Sequence, residues 1–134
     1  MRVPDWPKRL AAVVARHQAL PSEYGVSDCY ILPDDAVQAV TGETMYGATV
    51  RKYTTPTGAA KQLRKKGFKT VRDAFAAKFA EIPVSQAQRG DIGVVNRDGE
   101  TCGGVFTVAG FMIRDTHGIG FIPITDVAAA FKVE

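Results

Sequence analysis

Between two segments of helical pattern the chain reads YGVSDC at residues 24–29. These residues end a loop that begins at Pro21, and a helix follows that we expect to reach about Thr41 and to end at Gly42. A cysteine near a helix N-terminus experiences the positive end of the helix dipole and unpaired backbone N–H groups, which favour its thiolate. Cys29 is therefore a candidate catalytic nucleophile, although cysteine is also a common small buried residue.

The rest of the first half is also helical in pattern. Asp5 can cap a helix that runs to about Gln18 with an apolar stripe along one face. His17 lies near that stripe, and we interpret it as a packed or half-exposed histidine rather than a ligand. Two further helices are predicted, over residues 56–67 and from Thr70 to about Ala80.

The helix that follows Cys29 contains three residues that bear on its structure. Pro33 removes a backbone hydrogen bond and predicts a kink or a restart of the helix at this point. Asp34 and Asp35 are then acids in the first turn of the restarted helix, where the helix dipole favours negative charge. We prefer this interpretation to a catalytic pair of carboxylates.

The second half changes to a β pattern. Short β-rich runs at 92–96, 104–109, 111–116 and 120–124 are separated by turns that contain glycine. A short turn at 126–130 and a closing segment at 131–133 follow. Helices first and an antiparallel meander second predict an α+β fold, with N-terminal helices packed on a C-terminal β-meander. A length of 134 residues predicts a single domain over residues 1–134.

Composition excludes several classes of protein. A content of 46% hydrophobic and 23% charged residues is ordinary for a globular domain. No stretch approaches the ~20 apolar residues that span a bilayer, and the N-terminus lacks the apolar run of a signal peptide. Cys29 and Cys102 are too few for a disulfide framework or a cysteine-rich zinc site. We expect no membrane insertion, no export signal, no cofactor and no metal.

Positive charge is concentrated between residues 51 and 69, where the chain has no Asp or Glu. This basic segment is either a solvated helix face or a surface for an anionic cell-wall polymer or an acidic protein. No helix-turn-helix, zinc or RNA-binding signature accompanies the charge, so we expect no specific nucleic-acid partner. The basic residues are Arg51, Lys52, Lys61, Arg64, Lys65, Lys66 and Lys69.

Several short motifs occur in a fixed order along the chain. The G-x-x-D-C run ends at Cys29, T-G ends the second helix at Gly42, and R-G-D-I opens the meander at residues 89–92. This order resembles the NlpC-like branch of papain-like cysteine peptidases. Trp6 and a Y-x-T-x-x-G segment at 53–58 make the chain similar to small NlpC-like proteins of phages, prophages and gene transfer agents. The resemblance extends from Trp6 to Val133.

The resemblance implies a papain-like NlpC-type fold with Cys29 as the nucleophile. It also implies a catalytic histidine on the first strand after the G-D strand, where this chain has Cys102, or Thr101 if the match slips by one residue. A thiol is a poor proton acceptor for another thiol. The downstream candidates are His117 as base and Asp115 as its orienting residue, unless His117 is simply a turn residue.

The resemblance further implies a component of the virion. Such a protein is expected at the phage tail tip, made in the host cytoplasm and docked on hub or baseplate proteins. The replaced histidine predicts a degenerate peptidase fold kept for tail assembly or cell-wall engagement. The alternative is an active peptidase that cleaves amide bonds in peptidoglycan peptides during genome entry. In either case we expect Cys29 and Cys102 to face each other across the groove of the former active site. The two thiols then remain reduced, form a disulfide or contribute to an adventitious metal site.

Overall fold

A computed structural model describes residues 1–115 and 118–134 of the chain, residue 115 by its backbone. In this part of the chain four α-helices precede a six-stranded antiparallel sheet, as the α+β prediction requires. The helices are α1 (Trp6–Ala19), α2 (Ile31–Thr41), α3 (Pro56–Lys65) and α4 (Val71–Lys78). The strands are β1 (Glu81–Ile82), β2 (Ile92–Arg97), β3 (Glu100–Thr107), β4 (Gly110–Asp115), β5 (Gly118–Ile122) and β6 (Ala129–Phe131).

The strands lie in the order β1-β6-β2-β3-β4-β5, so β2 to β5 form the predicted meander. Helices α2 and α4 pack on the central strands, and α1 packs on α2. The main apolar core lies between the helices and this face of the sheet and includes Leu10, Val37, Phe75 and Ile92. A smaller apolar cluster contains Cys102 and residues of β2, β3 and β4.

Two strand predictions differ from the structure. Strand β3 begins at Glu100 rather than at residue 104, because it pairs with β2 through Val95 opposite Cys102 and Arg97 opposite Glu100. A short 3-10 turn lies at Ile124–Asp126, and residues 129–131, predicted as the end of a turn and the start of the closing segment, form β6, which pairs with both β1 and β2. The earlier start of β3 matters for function, since it places Cys102 inside the sheet.

Helix α2 continues through Pro33 as one helix, so the predicted restart is wrong. The backbone N–H of Leu32 donates to the carbonyl oxygen of Asp28, and that of Asp34 donates to Tyr30. These bonds lie on either side of the one that Pro33 cannot make. Because Leu32 and Asp34 keep their bonds, the one donor that Pro33 lacks does not interrupt the helix.

Asp91, at the G-D motif before β2, joins the two ends of the chain. One carboxylate oxygen accepts hydrogen bonds from the Arg2 guanidinium at 2.8 Å and from the backbone N–H of Val133 at 3.0 Å. The other accepts from the backbone N–H of Gln88 at 2.8 Å. The Arg2 guanidinium lies over the ring of Trp6, with its central carbon 4.4 Å from the centre of the ring. The early tryptophan and the G-D motif therefore have structural roles.

Candidate functional site

Asp28 starts the helix that carries Cys29. Its Oδ1 accepts hydrogen bonds from the backbone N–H groups of Tyr30 at 2.9 Å and Ile31 at 2.8 Å, which is the pattern of an N-cap residue. Cys29 therefore occupies the first position of the hydrogen-bonded helix, two residues before the first residue assigned to α2. This is the position that the sequence predicted for a nucleophile.

The loop before Cys29 is supported by the segment that begins at Tyr53. The Tyr53 hydroxyl donates to Asp28 Oδ2 at 2.8 Å, and the backbone N–H of Gly25 donates to the same oxygen at 2.9 Å. Gly25 has φ +84°, and a Cβ there would lie 2.1 Å from the Tyr53 carbonyl oxygen. Thr55 then caps α3 by accepting from the backbone N–H of Gly58. The G-x-x-D-C and Y-x-T-x-x-G motifs thus form one hydrogen-bonded support for Cys29.

The structure brings Cys29 and Cys102 together. Both residues are thiols, Cys29 partly exposed and Cys102 buried. Hydrogen bonding with the Cys102 side chain is the largest influence on Cys29 and lowers its pKa below the ordinary value, against the opposing effects of burial and the Asp28 carboxylate. The Cys102 thiol itself donates to the backbone carbonyl oxygens of Gly103 and Arg114. Cys29 therefore ionises more readily than an ordinary cysteine.

The start of the helix at Cys29 lies close to strand β3 because β3 has a glycine at position 103. A Cβ on Gly103 would lie 2.3 Å from the carbonyl oxygen of Cys29 and 2.9 Å from the ring of Phe75. Any larger residue at position 103 would push the start of the helix away from the sheet. Gly103 therefore sets the distance between Cys29 and the strand that holds Cys102.

Two depressions meet at Cys29. One, of about 140 Å³, continues past Cys102 toward the β2–β3 turn and Arg97. The other, of about 390 Å³, lies beside α3 and is lined by apolar, aromatic and polar side chains, with Lys69 among them. Tyr24, Asp28, Cys29, Glu100 and Thr101 line both depressions. The arrangement is a single cleft with the thiol near its middle, which suits an extended ligand that crosses Cys29.

Tyr24 stands where the two depressions join. Its ring packs edge-on against that of Tyr53, with the ring centres 6.4 Å apart. Burial, followed by the negative charge of Cys29, raises the pKa of Tyr24. The side chain is therefore a phenol at neutral pH and can donate a hydrogen bond to a ligand in the cleft.

His17 does not reach this cleft, and the interpretation of it as a packed histidine is confirmed. The ring is fully buried, with Nδ1 2.6 Å from the Ser27 hydroxyl and Nε2 2.7 Å from the Asp35 carboxylate. A neutral ring protonated on Nε2 satisfies both contacts. Burial opposes ionisation of Asp35, but hydrogen bonds from His17, Arg51 and Arg16 outweigh it and lower the pKa of Asp35 to about 2.

Arg51 turns inward, which corrects its place in the predicted basic surface. Its guanidinium donates to Asp34 at 3.1 Å and to Asp35 at 2.6 Å. The backbone N–H of Met45 donates to the other oxygen of Asp34 at 2.8 Å. Asp34 and Asp35 are therefore buried and form ion pairs with Arg51. Their interpretation as acids that interact only with the helix dipole missed these ion pairs.

The other basic residues of the segment are exposed, as a binding surface requires. Helix α3 has no buried residue, so it presents its charge to solvent while its small side chains form one wall of the larger depression. Lys69 lies in the lining of that depression. The exposed residues are Lys52, Lys61, Arg64, Lys65, Lys66 and Lys69.

The remaining predicted site residues are not located. His117 and the side chain of Asp115 lie outside the described residues. Among the residues that are described, no group of three or more His, Cys, Asp and Glu side chains is arranged to hold a metal ion. No helix in the described part of the chain is long and apolar enough to cross a membrane.

Sequence reasoning missed the aromatic residues of the cleft. Tyr24 and Tyr53 belong to motifs that were noted, yet their contact with each other and with Asp28 depends on two segments that are distant in the chain. Glu100 precedes the predicted start of the strand at residue 104 and belongs to none of the motifs.

Comparison with known proteins gives a family without an activity. A family model described as a domain of unknown function (DUF6950) matches residues 1–133. No curated protein and no solved structure shows a significant match to the chain. Since the family model covers almost every residue, the chain belongs to the DUF6950 family.

Proposed function

We propose that the protein is a bacteriophage virion component of the tail tip, with a degenerate papain-like NlpC-type fold whose cleft binds rather than cleaves. It docks on tail hub or baseplate proteins and serves tail assembly or engagement of the host cell wall. The ordered motifs from Trp6 to Val133 support this proposal. The single observation that carries it is that Cys102, which stands where the resemblance calls for a histidine, lies in the cluster against which Cys29 packs and lines the same depression.

Amide hydrolysis by a cysteine needs a group that accepts the thiol proton and later returns it to the leaving amine. A neutral imidazole does this near neutral pH. The Cys102 thiol instead donates to the backbone carbonyl oxygens of Gly103 and Arg114, and a thiol is a poor proton acceptor for another thiol. The cleft itself remains open on both sides of the thiol, so it keeps its capacity to bind an extended peptide.

The charge on α3 fits the same role. Lys61, Arg64 and Lys65 are exposed, and Lys69 lies in the lining of the cleft. Such a face attracts an anionic wall polymer or an acidic surface on a hub protein. Both partners belong to the setting of a tail tip.

The experiment is a phage that carries Cys29→Ala. For a binding module we expect normal particles, nearly normal infectivity and unchanged retention of the purified protein on peptidoglycan. A triple variant of Lys61, Arg64 and Lys65 to Gln serves as the contrasting change and should reduce retention or tail incorporation. Normal particles with collapsed infectivity in the Cys29→Ala phage would contradict the binding role.

An active cysteine peptidase or amidase is the second candidate, because Cys29 has a lowered pKa and a place at the start of a helix in a cleft. Cys29 Sγ would attack the carbonyl carbon of a peptidoglycan peptide bond, with His117 as base and Asp115 as its orienter. Purified protein should then release soluble muropeptides under reducing conditions, and Cys29→Ala and His117→Ala should each abolish the release. No release by the reduced wild-type protein counts against this candidate.

A further inference from the structure

The pair of thiols is a chemical site in its own right, whatever the cleft binds. We propose that Cys29 and Cys102 form a reversible intramolecular disulfide by exchange with a small disulfide such as oxidised glutathione. Cys29 is the attacking residue and Cys102 the resolving one. This chemistry does not depend on the proposed function, because it requires no catalytic histidine and no peptide substrate.

The two residues are close in both side chain and backbone. Cys29 packs against the apolar cluster that contains Cys102. Its carbonyl oxygen lies so near Gly103, the neighbour of Cys102, that a Cβ there would be at 2.3 Å. Both cysteines also line the smaller depression, so they share one space. Disulfide-bonded residues have Cα atoms about 4.4–6.8 Å apart, and formation of the bond tests whether the two residues come within this range.

The difference in exposure between the two cysteines determines which one attacks and which one resolves. Cys29 is partly exposed at the junction of the two depressions, so a small disulfide can reach it. Cys102 is only 7% exposed and is surrounded by Val95, Phe106 and Ile113. Attack in thiol–disulfide exchange depends on access to the thiolate, and Cys29 at the helix start has that access. Cys102 is placed to attack only a sulfur that is already attached to Cys29.

The exchange balances in two steps. The Cys29 thiolate attacks one sulfur of oxidised glutathione, the S–S bond breaks, and one glutathione leaves as a thiolate with the electron pair. Cys102 then loses its proton to the released thiolate and attacks Cys29 Sγ, which expels the second glutathione. The protein dithiol is oxidised to a disulfide, and the glutathione disulfide is reduced to two thiols. A dithiol reductant reverses both steps.

The test treats the reduced full chain with oxidised glutathione, quenches with an alkylating reagent and measures the intact mass. Wild type should lose the mass of two hydrogen atoms, resist alkylation and carry no glutathione. Cys102→Ala should stop at a glutathione adduct on Cys29. Cys29→Ala should lose the reaction over the same time, since Cys102 is buried. A lasting adduct on wild type, or equal reactivity of Cys29→Ala, would overturn the proposal.

A second measurement needs no variant. Protease digestion of the oxidised wild-type protein should yield one cross-linked species that joins the peptides of Cys29 and Cys102, and reduction should separate them. Cross-links between two protein molecules, or separate adducts on the two peptides, would refute an intramolecular bond. Cys102→Ser, which keeps a small polar side chain, replaces Cys102→Ala if circular dichroism shows that the alanine variant is unfolded.

Discussion

The hydroxyl of Tyr53 donates a hydrogen bond to the carboxylate of Asp28 at 2.8 Å, across a separation of 25 residues in the chain. The same carboxylate caps the helix that begins with Cys29. The segment before α3 therefore holds the start of a different helix in place. Because the bond is part-buried and its acceptor is charged, its loss should be measurable.

Tyr53→Phe should lower the free energy of unfolding by about 1.5–3 kcal/mol, the usual contribution of a hydrogen bond to a charged group. The ring stays in place, so packing against Tyr24 is kept. Urea unfolding followed by circular dichroism measures the change. Tyr24→Phe is the matched control, since that hydroxyl lies at the open cleft, and it should change stability by less than about 0.5 kcal/mol. Equal losses in the two variants would show that the Asp28 contact is not the cause.

Gly25→Ala should be more damaging than an ordinary substitution of a glycine at positive φ. Position 25 combines φ +84° with a Cβ contact of 2.1 Å to the carbonyl oxygen of Tyr53. Gly47 has φ +81° and nothing within 4 Å of a Cβ, so Gly47→Ala measures the backbone strain alone. We expect Gly47→Ala to cost about 1 kcal/mol and Gly25→Ala about 2–4 kcal/mol in urea unfolding. Similar costs at the two positions would contradict the close approach of the two loops.

Stability should fall in acid because of Asp35. Its pKa is lowered from 3.8 to about 2 in the folded protein, so the folded state favours the ionised carboxylate. The resulting stabilisation is fully present above the unfolded pKa and is lost as the pH falls from 3.8 toward about 2. It amounts to about 2 kcal/mol. Urea unfolding between pH 2 and pH 6 measures the loss, which Asp35→Asn should largely abolish.

Asp34→Asn is the contrasting variant for this experiment. Burial raises the pKa of Asp34, against the hydrogen bonds from Met45 and Arg51. A carboxyl whose pKa is raised on folding does not contribute to stability lost in acid. The acid-dependent loss should therefore persist in Asp34→Asn, and its disappearance there would show that Asp35 is not the group responsible.

Alkylation of Cys29 should report the hydrogen bond from Cys102. That bond is the largest influence that lowers the pKa of Cys29, so Cys102→Ala should move the midpoint of the rate against pH upward. Cys102→Ser keeps a hydrogen-bond donor and should leave the midpoint closer to that of wild type. The measurement is the rate of reaction with iodoacetamide across the pH range. An unchanged midpoint in Cys102→Ala would mean that the helix start alone sets the pKa.

The parts of the fold that could be predicted from the sequence depend on neighbours in the chain. The start of the helix at Cys29 is such a case, because its capping residue Asp28 is adjacent. Thr55 and Thr70 likewise cap α3 and α4 by accepting from N–H groups three residues ahead. The alternating pattern after residue 92 was sufficient for the meander, since each strand pairs with the next.

The parts that could not be predicted depend on distant residues. Residues 100–103 precede the predicted start of the strand at residue 104, and only pairing with β2 shows that they lie within it. Arg51 lies in a basic segment, which predicts a surface residue. In the structure its guanidinium donates to the buried carboxylates of Asp34 and Asp35. Only the resemblance indicated that Cys102 belongs to the site. Its proximity to Cys29 depends on the pairing of distant strands and could not be predicted from neighbours in the chain.

The carboxylate of Asp91 has a consequence for the order of folding. It binds Arg2 and Val133, whose own contact spans 131 positions in the chain. Contacts this distant in sequence form late, because the loop between them must first be ordered. On the ribosome, residue 2 must wait until residue 133 has emerged before these contacts can form.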